Sequence, residues 1–158
     1  MILAVCGALG GCGAPTYGPP NLGGPTPEER TANITSEPTG DFYYGRRYFV
    51  GKTRFWGYLR RPREAWSQAK LVIMREDKKR TPDRLSESAP PGERYGYDTN
   101  FEYRIHGYFT GKEQYEPNSN QFLAEFMLTG YELLDQHPGW LFRPDDHYDP
   151  LRITIYPR

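Results

Sequence analysis

Cysteine is nearly absent. The 158-residue chain holds two, Cys6 and Cys12, and none beyond. A disulfide-stapled fold is thereby excluded, and so, within the domain that follows these two cysteines, is a structural zinc site built on four cysteines or on a cysteine pair with a histidine pair. Long hydrophobic runs are also missing: no stretch reaches the roughly 18 apolar residues that a membrane-spanning helix needs. Net charge is absent too. Lys+Arg and Asp+Glu both total 20, so overall charge steers the chain toward neither nucleic acid nor anionic membrane. Hydrophobic residues make up only 37%, but aromatics supply 15% of the chain, and 13 residues are Tyr. Aromatic side chains carry large buried area and favour strands. The composition therefore fits a small β domain better than an aliphatic helical bundle.

The N-terminus reads as an address. Met1–Leu9 is a short apolar run, and Leu9-Gly10-Gly11-Cys12 follows. Small residues before a cysteine admit the backbone to a peptidase cleft, and the thiol can accept a diacylglycerol. The clustered glycines are not a phosphate loop, because no Gly-Lys-Ser/Thr follows and Pro15 blocks a helix start. The motif resembles the lipobox of bacterial lipoproteins. That resemblance implies that Cys12 is the lipidation site and that cleavage leaves it as the first mature residue. It also implies a protein anchored by lipid to a membrane of the bacterial cell envelope, on the periplasmic side. The chain departs from the pattern in one respect: no Lys or Arg precedes the apolar run. Residues 1–12 are thus read as signal peptide and lipidation site. Residues 13–40, dense in Pro and Gly, are read as a disordered tether spanning about 30 Å. Residues 41–158 are read as one β domain. Asn33-Ile34-Thr35 matches a glycosylation sequon, which the bacterial leader makes accidental.

Within the domain, residues 48–59 are rich in aromatics and predict a long strand bent at Gly51 and Gly57. Glu64–Ala69 predicts one helical turn with Trp66 over an end of the core. Lys70–Met74 predicts a buried strand, and Glu76–Arg94 a long surface loop. Phe101–Phe109 alternates cleanly: Phe101, Tyr103, Ile105 and Phe109 share one face, while Glu102, Arg104, His106 and Tyr108 share the other. Residues 111–121 predict a turn-rich connection, 122–134 a returning strand, and 151–156 a last edge strand. This order predicts a small antiparallel β-barrel, OB-like, with a β-sandwich as the alternative. The strand pair at residues 101–111 and 126–134 resembles the closing pair of OB-like domains. The expected core is Phe55, Leu59, Leu71, Ile73, Phe101, Tyr103, Ile105, Phe109, Phe126, Leu128 and Leu133.

The chemistry-bearing signals are few. Residues 42–66 hold seven basic residues, one acid and nine interleaved aromatics. Residues 42–84 carry a net +9 and residues 85–158 a net −6. Interleaved cations and rings are how OB surfaces hold anionic strands, and Arg46, Arg54, Trp56 and Tyr58 are the candidate ligand-binding residues. Internal pairing of positive and negative strands explains the same pattern. Export argues against nucleic acid as a partner and leaves a protein or cell-wall partner open. Asp145, Asp146, His147 and Asp149, with His137, lack the spacing of a calcium loop, so no metal site is assigned. His106 sits on a polar strand face, and no Ser occupies a nucleophile elbow. No catalytic residue and no cofactor are assigned. The expected role is structural or binding. An OB-like binder of an anionic ligand is the second reading, and a hydrolase ranks last.

Overall fold

A computed structural model describes residues 26–82, 96–139, 141, 142 and 153. Strands β1 (Tyr43–Arg47), β2 (Gly57–Arg60), β3 (Lys70–Arg75), β4 (Glu102–Glu116) and β5 (Gln121–Asp135) close into a barrel in the order β1-β2-β3-β5-β4. This is the expected OB-like barrel, and the sandwich alternative falls. Closure runs through β1, where Tyr44 lies opposite Arg60 of β2 on one edge and Arg104 of β4 on the other. One seam departs from the antiparallel expectation: β3 and β5 run parallel, with Ile73 opposite Glu125. An odd ring of strands cannot alternate direction throughout, so one parallel pair is obligatory.

Alternation splits the apolar residues into two cores. Inside the barrel lie Tyr43, Trp56, Leu59, Val72, Tyr103, Ile105, Phe126 and Leu128. Gly45 faces this interior, where an added Cβ would stand 2.7 Å from Ile105 and 3.0 Å from Leu59 and Trp56. Glycine there admits the indole. Outside the barrel, Tyr44, Tyr58, Leu71 and Ile73 form a second core with Tyr48, Val50, Phe55, Trp66, Leu123 and Leu141. Ile34, Phe142 and Ile153 pack against it. The outer face of β1–β2–β3 is therefore covered by the chain itself.

Several expectations need correction. The bent strand at 48–59 is instead an irregular loop from Tyr48 to Trp56 leading into short β2, with Lys52 at φ +66° in its turn. Strand β4 runs on to Glu116, so the connection shrinks to a turn at 117–120. The register shift at His106/Gly107 needs glycine: φ is +151° at Gly107, and a Cβ would meet the Met127 carbonyl at 2.1 Å. Leu133 is 43% exposed rather than core, while Phe101 and Phe109 are half-buried. The helical turn at Trp66–Gln68 forms as expected. The edge strand at 151–156 and the acidic residues 145–149 fall outside the described residues, apart from Ile153.

The tether expectation also changes over its second half. Helix α1 spans Pro27–Thr35. Thr26 and Glu29 exchange the two hydrogen bonds of a capping box, and Pro27 opens the first turn, where its missing N–H is harmless. Glu37 then clamps Arg60 through both terminal guanidinium nitrogens. It also accepts from the Arg63 backbone N–H at 2.9 Å.

Candidate functional site

The four residues singled out from the sequence occupy three environments. Arg46 and Tyr58 are register partners on the outer face of β1–β2, and both are buried, at 1% exposure each. Trp56 points into the barrel core. Arg54 is exposed on the β1–β2 loop. They do not make one surface.

Arg46 belongs to a polar cluster beneath α1. Its guanidinium donates to the carbonyls of Asn100 and Gly139, and stands 3.5 Å from the Glu102 carboxylate. Trp66 lies between two cations: its ring centroid is 5.5 Å from the Arg46 guanidinium and 4.5 Å from that of Arg60. Burial lowers the Arg46 pKa to about 10, against the pull of Glu102. Burial likewise holds the Glu102 carboxyl above its ordinary range, against the opposing pull of Arg46 and Arg60. Arg30, Glu37 and Asp135 complete the lining of a cavity of about 130 Å³. Three arginines face three carboxylates; Arg46 and the two terminal nitrogens of Arg60 find partners within the protein, while the Arg60 Nε is buried with no hydrogen-bond partner among the described residues. This cluster reads as internal pairing of the basic early strands.

The more site-like feature is a cleft of about 360 Å³ between the β1–β2 loop, the end of β3 and the Glu76–Thr81 segment. Local hydrogen bonds shape the loop. The Tyr48 N–H donates to the Trp56 carbonyl at 3.1 Å, and the Thr53 hydroxyl donates to the Val50 carbonyl at 2.8 Å. Phe55 is thereby stacked on Tyr48 at 5.7 Å between centroids. The walls are Phe49, Phe55, Ile73 and Met74. At the cleft wall, the Arg47 guanidinium sits 5.5 Å from the Phe49 ring and 5.9 Å from the Trp56 ring. It is neutralised by buried Asp98 at 3.4 Å, which accepts in turn from the Tyr103 hydroxyl. Glu76 accepts from the Thr81 backbone N–H at 2.8 Å, which holds that lip in place. Arg54 has no carboxylate partner among the described residues. An apolar cleft of this size with a few convergent polar groups has the make-up of a ligand site.

Sequence reasoning found two of its residues, Arg54 and Trp56, and missed Arg47, Phe49, Thr53, Phe55, Ile73, Met74, Glu76 and Thr81 as parts of a site. Gly51-Lys52-Thr53 was the available signal, because turn chemistry inside an aromatic run marks a loop rather than a strand. OB-type barrels commonly take ligands on the β2–β3 face and on the β1–β2 and β4–β5 loops. Here that face is sealed, and the β1–β2 loop carries the opening. Comparison with family models, with curated proteins and with solved structures yields no match.

Proposed function

We propose that this chain is a non-catalytic binding protein of the bacterial cell envelope, held to a membrane by lipid on Cys12. Its ligand has an anionic group and an apolar body and enters the β1–β2 loop cleft. The observation that carries the ligand class is Arg54, a cation with no carboxylate partner among the described residues, on the lining of an aromatic and aliphatic cleft whose other arginine is already neutralised by Asp98. An anion paired with Arg54 leaves its apolar part against Phe49, Phe55 and Ile73. Leu9-Gly10-Gly11-Cys12 supports the anchor. Two acyl chains or more give stable attachment. The acidic group of the cleft, Glu76, is engaged by Thr81, which favours binding over acid–base work.

Two experiments test the two halves separately. Cys12→Ser should move the protein from the membrane fraction to the soluble one, and intact mass should show an acylated chain beginning at Cys12. Unchanged fractionation removes the anchor. Titration with a medium-chain fatty acid and with phenylphosphate, read by tryptophan fluorescence, should saturate. Arg54→Ala should weaken binding about tenfold, which corresponds to ~1.4 kcal/mol. Absence of saturable binding, or binding indifferent to Arg54→Ala, removes the cleft.

A further inference from the structure

We propose that the tip of the β4–β5 hairpin is a glycan-docking platform, a second site distinct from the cleft. Tyr115 and Phe122 lie directly opposite each other in the register. Their ring centroids are 5.3 Å apart at 47°. Phe122 is 69% exposed and Tyr115 49%, which makes this the most exposed pair of facing large apolar side chains among the described residues.

The pair is held in place rather than left loose. Strand alternation sends Glu116 and Leu123 to the other face of the hairpin, where Leu123 joins the outer core with Val50 and Phe55. Buried Glu116 accepts from the Ser119 backbone N–H at 2.6 Å and from the Asn118 amide at 3.4 Å. Asn118 also donates to the Lys52 carbonyl, which ties the tip to the β1–β2 loop. The Tyr115 hydroxyl donates to the Asn120 side chain at 2.9 Å. Both rings are therefore presented by a braced turn, so little ordering cost remains on binding.

The chemistry around the rings selects the partner. Residues 117–121 read Pro-Asn-Ser-Asn-Gln and carry no charge. They offer carboxamides and a hydroxyl, groups that both donate and accept hydrogen bonds. Glu113, two residues before Tyr115, shares the face with the rings, and with buried Glu116 it balances exposed Lys112 and Lys52, so the tip carries no excess charge of either sign to favour a charged surface. Exposed rings beside neutral amides match a polyhydroxylated, uncharged chain: the sugar's C–H face stacks on the ring while its hydroxyls and acetamido groups meet the amides. The envelope reading supplies the setting, and the N-acetylated glycan strands of the wall have that chemistry.

The test uses the full chain carrying Cys12→Ser, so that lipid plays no part. Co-sedimentation with purified peptidoglycan sacculi and titration with an N-acetylglucosamine tetramer give the readout. Phe122→Ala and Tyr115→Ala should each weaken retention at least tenfold with unchanged melting temperature. Phe122→Trp should keep it, and His106→Ala should not alter it. A full chain that is not retained overturns the proposal, as does retention indifferent to Phe122→Ala. It is also overturned if Phe122→Ala instead abolishes a dimer in sedimentation, or binding to phosphatidylglycerol vesicles, with glycan retention intact. Membrane fractionation decides the anchor independently, and the fatty-acid titration decides the cleft.

Discussion

Ile105 and His106 are chain neighbours on opposite faces of β4. Ile105 is 1% exposed inside the barrel, and the His106 side chain is exposed outside it. Ile105→Ala should cost about 2–5 kcal/mol in urea denaturation, as for other buried large-to-small changes. His106→Ala should stay within about 0.5 kcal/mol. Equal losses would mean that the faces are misassigned. Glu125 makes a prediction about acid. It accepts hydrogen bonds from Gln114, Thr110 and Arg75, and these lower its pKa below the ordinary carboxylate range against the opposing effect of burial. A depressed carboxylate binds fewer protons folded than unfolded. Its contribution is present above the ordinary carboxylate pKa and is lost as pH falls through the folded value. Glu125→Gln should therefore flatten the loss of stability in a denaturation series between about pH 5 and pH 2. An unchanged acid slope would show that the network carries no linkage. At this scale most of the core residues were legible, because alternation places them without knowledge of partners; Leu133, expected in the core, is exposed. The arginines were not legible as buried. Internal pairing of the basic early strands was one of two open readings, and the burial of Arg46 and Arg60 depends on Glu37, Asn100, Glu102 and Gly139, far away in sequence.

Elements show the same division between local and distant signals. Strand β4 was legible from its period over residues 101–109, and β5 from Thr129-Gly130-Tyr131, which favours a strand. The loop at 48–56 was hidden, since Phe55 and Trp56 are as aromatic as any strand. Helix α1 was hidden by composition: Pro and Gly around it suggested disorder, while Thr26-Pro27-Glu28-Glu29 held a complete start signal. The capping box should therefore matter. Thr26→Ala removes the acceptor for the Glu29 backbone N–H and should cost about 1 kcal/mol of helix stability. Hydrogen exchange should report it as faster exchange confined to the first turns of α1, with the barrel amides unaffected. Faster exchange across β1 and β2 as well would mean that helix and barrel open as one unit.

For the whole molecule, the second core changes where the folded unit begins. A barrel with a bare β1–β2–β3 face could start at Asp41, as the composition suggests. This barrel cannot, because that face is built from Tyr44, Tyr58, Leu71 and Ile73 and needs cover. Part of the cover lies before Asp41: Ile34 packs on the outer core, and Glu37 is the carboxylate of Arg60. Arg60 has a side chain only 1% exposed and cannot reach water without repacking. A fragment covering 26–158 keeps both Ile34 and Glu37 and is the reference for stability. A fragment covering 41–158 should lose about 3–5 kcal/mol, the cost of leaving one member of a buried ion pair uncompensated. The loss has a specific cause, and a substitution can isolate it. Arg60→Met in the 41–158 fragment removes the orphaned charge while keeping apolar volume against Tyr44 and Trp66, so it should recover more than half of the lost stability. In the 26–158 fragment the same substitution should destabilise, because it strands Glu37 instead. Opposite signs of one substitution in two fragments would be hard to obtain from general loosening. Equal stability of the two fragments would return the boundary to Asp41 and make α1 an appendage.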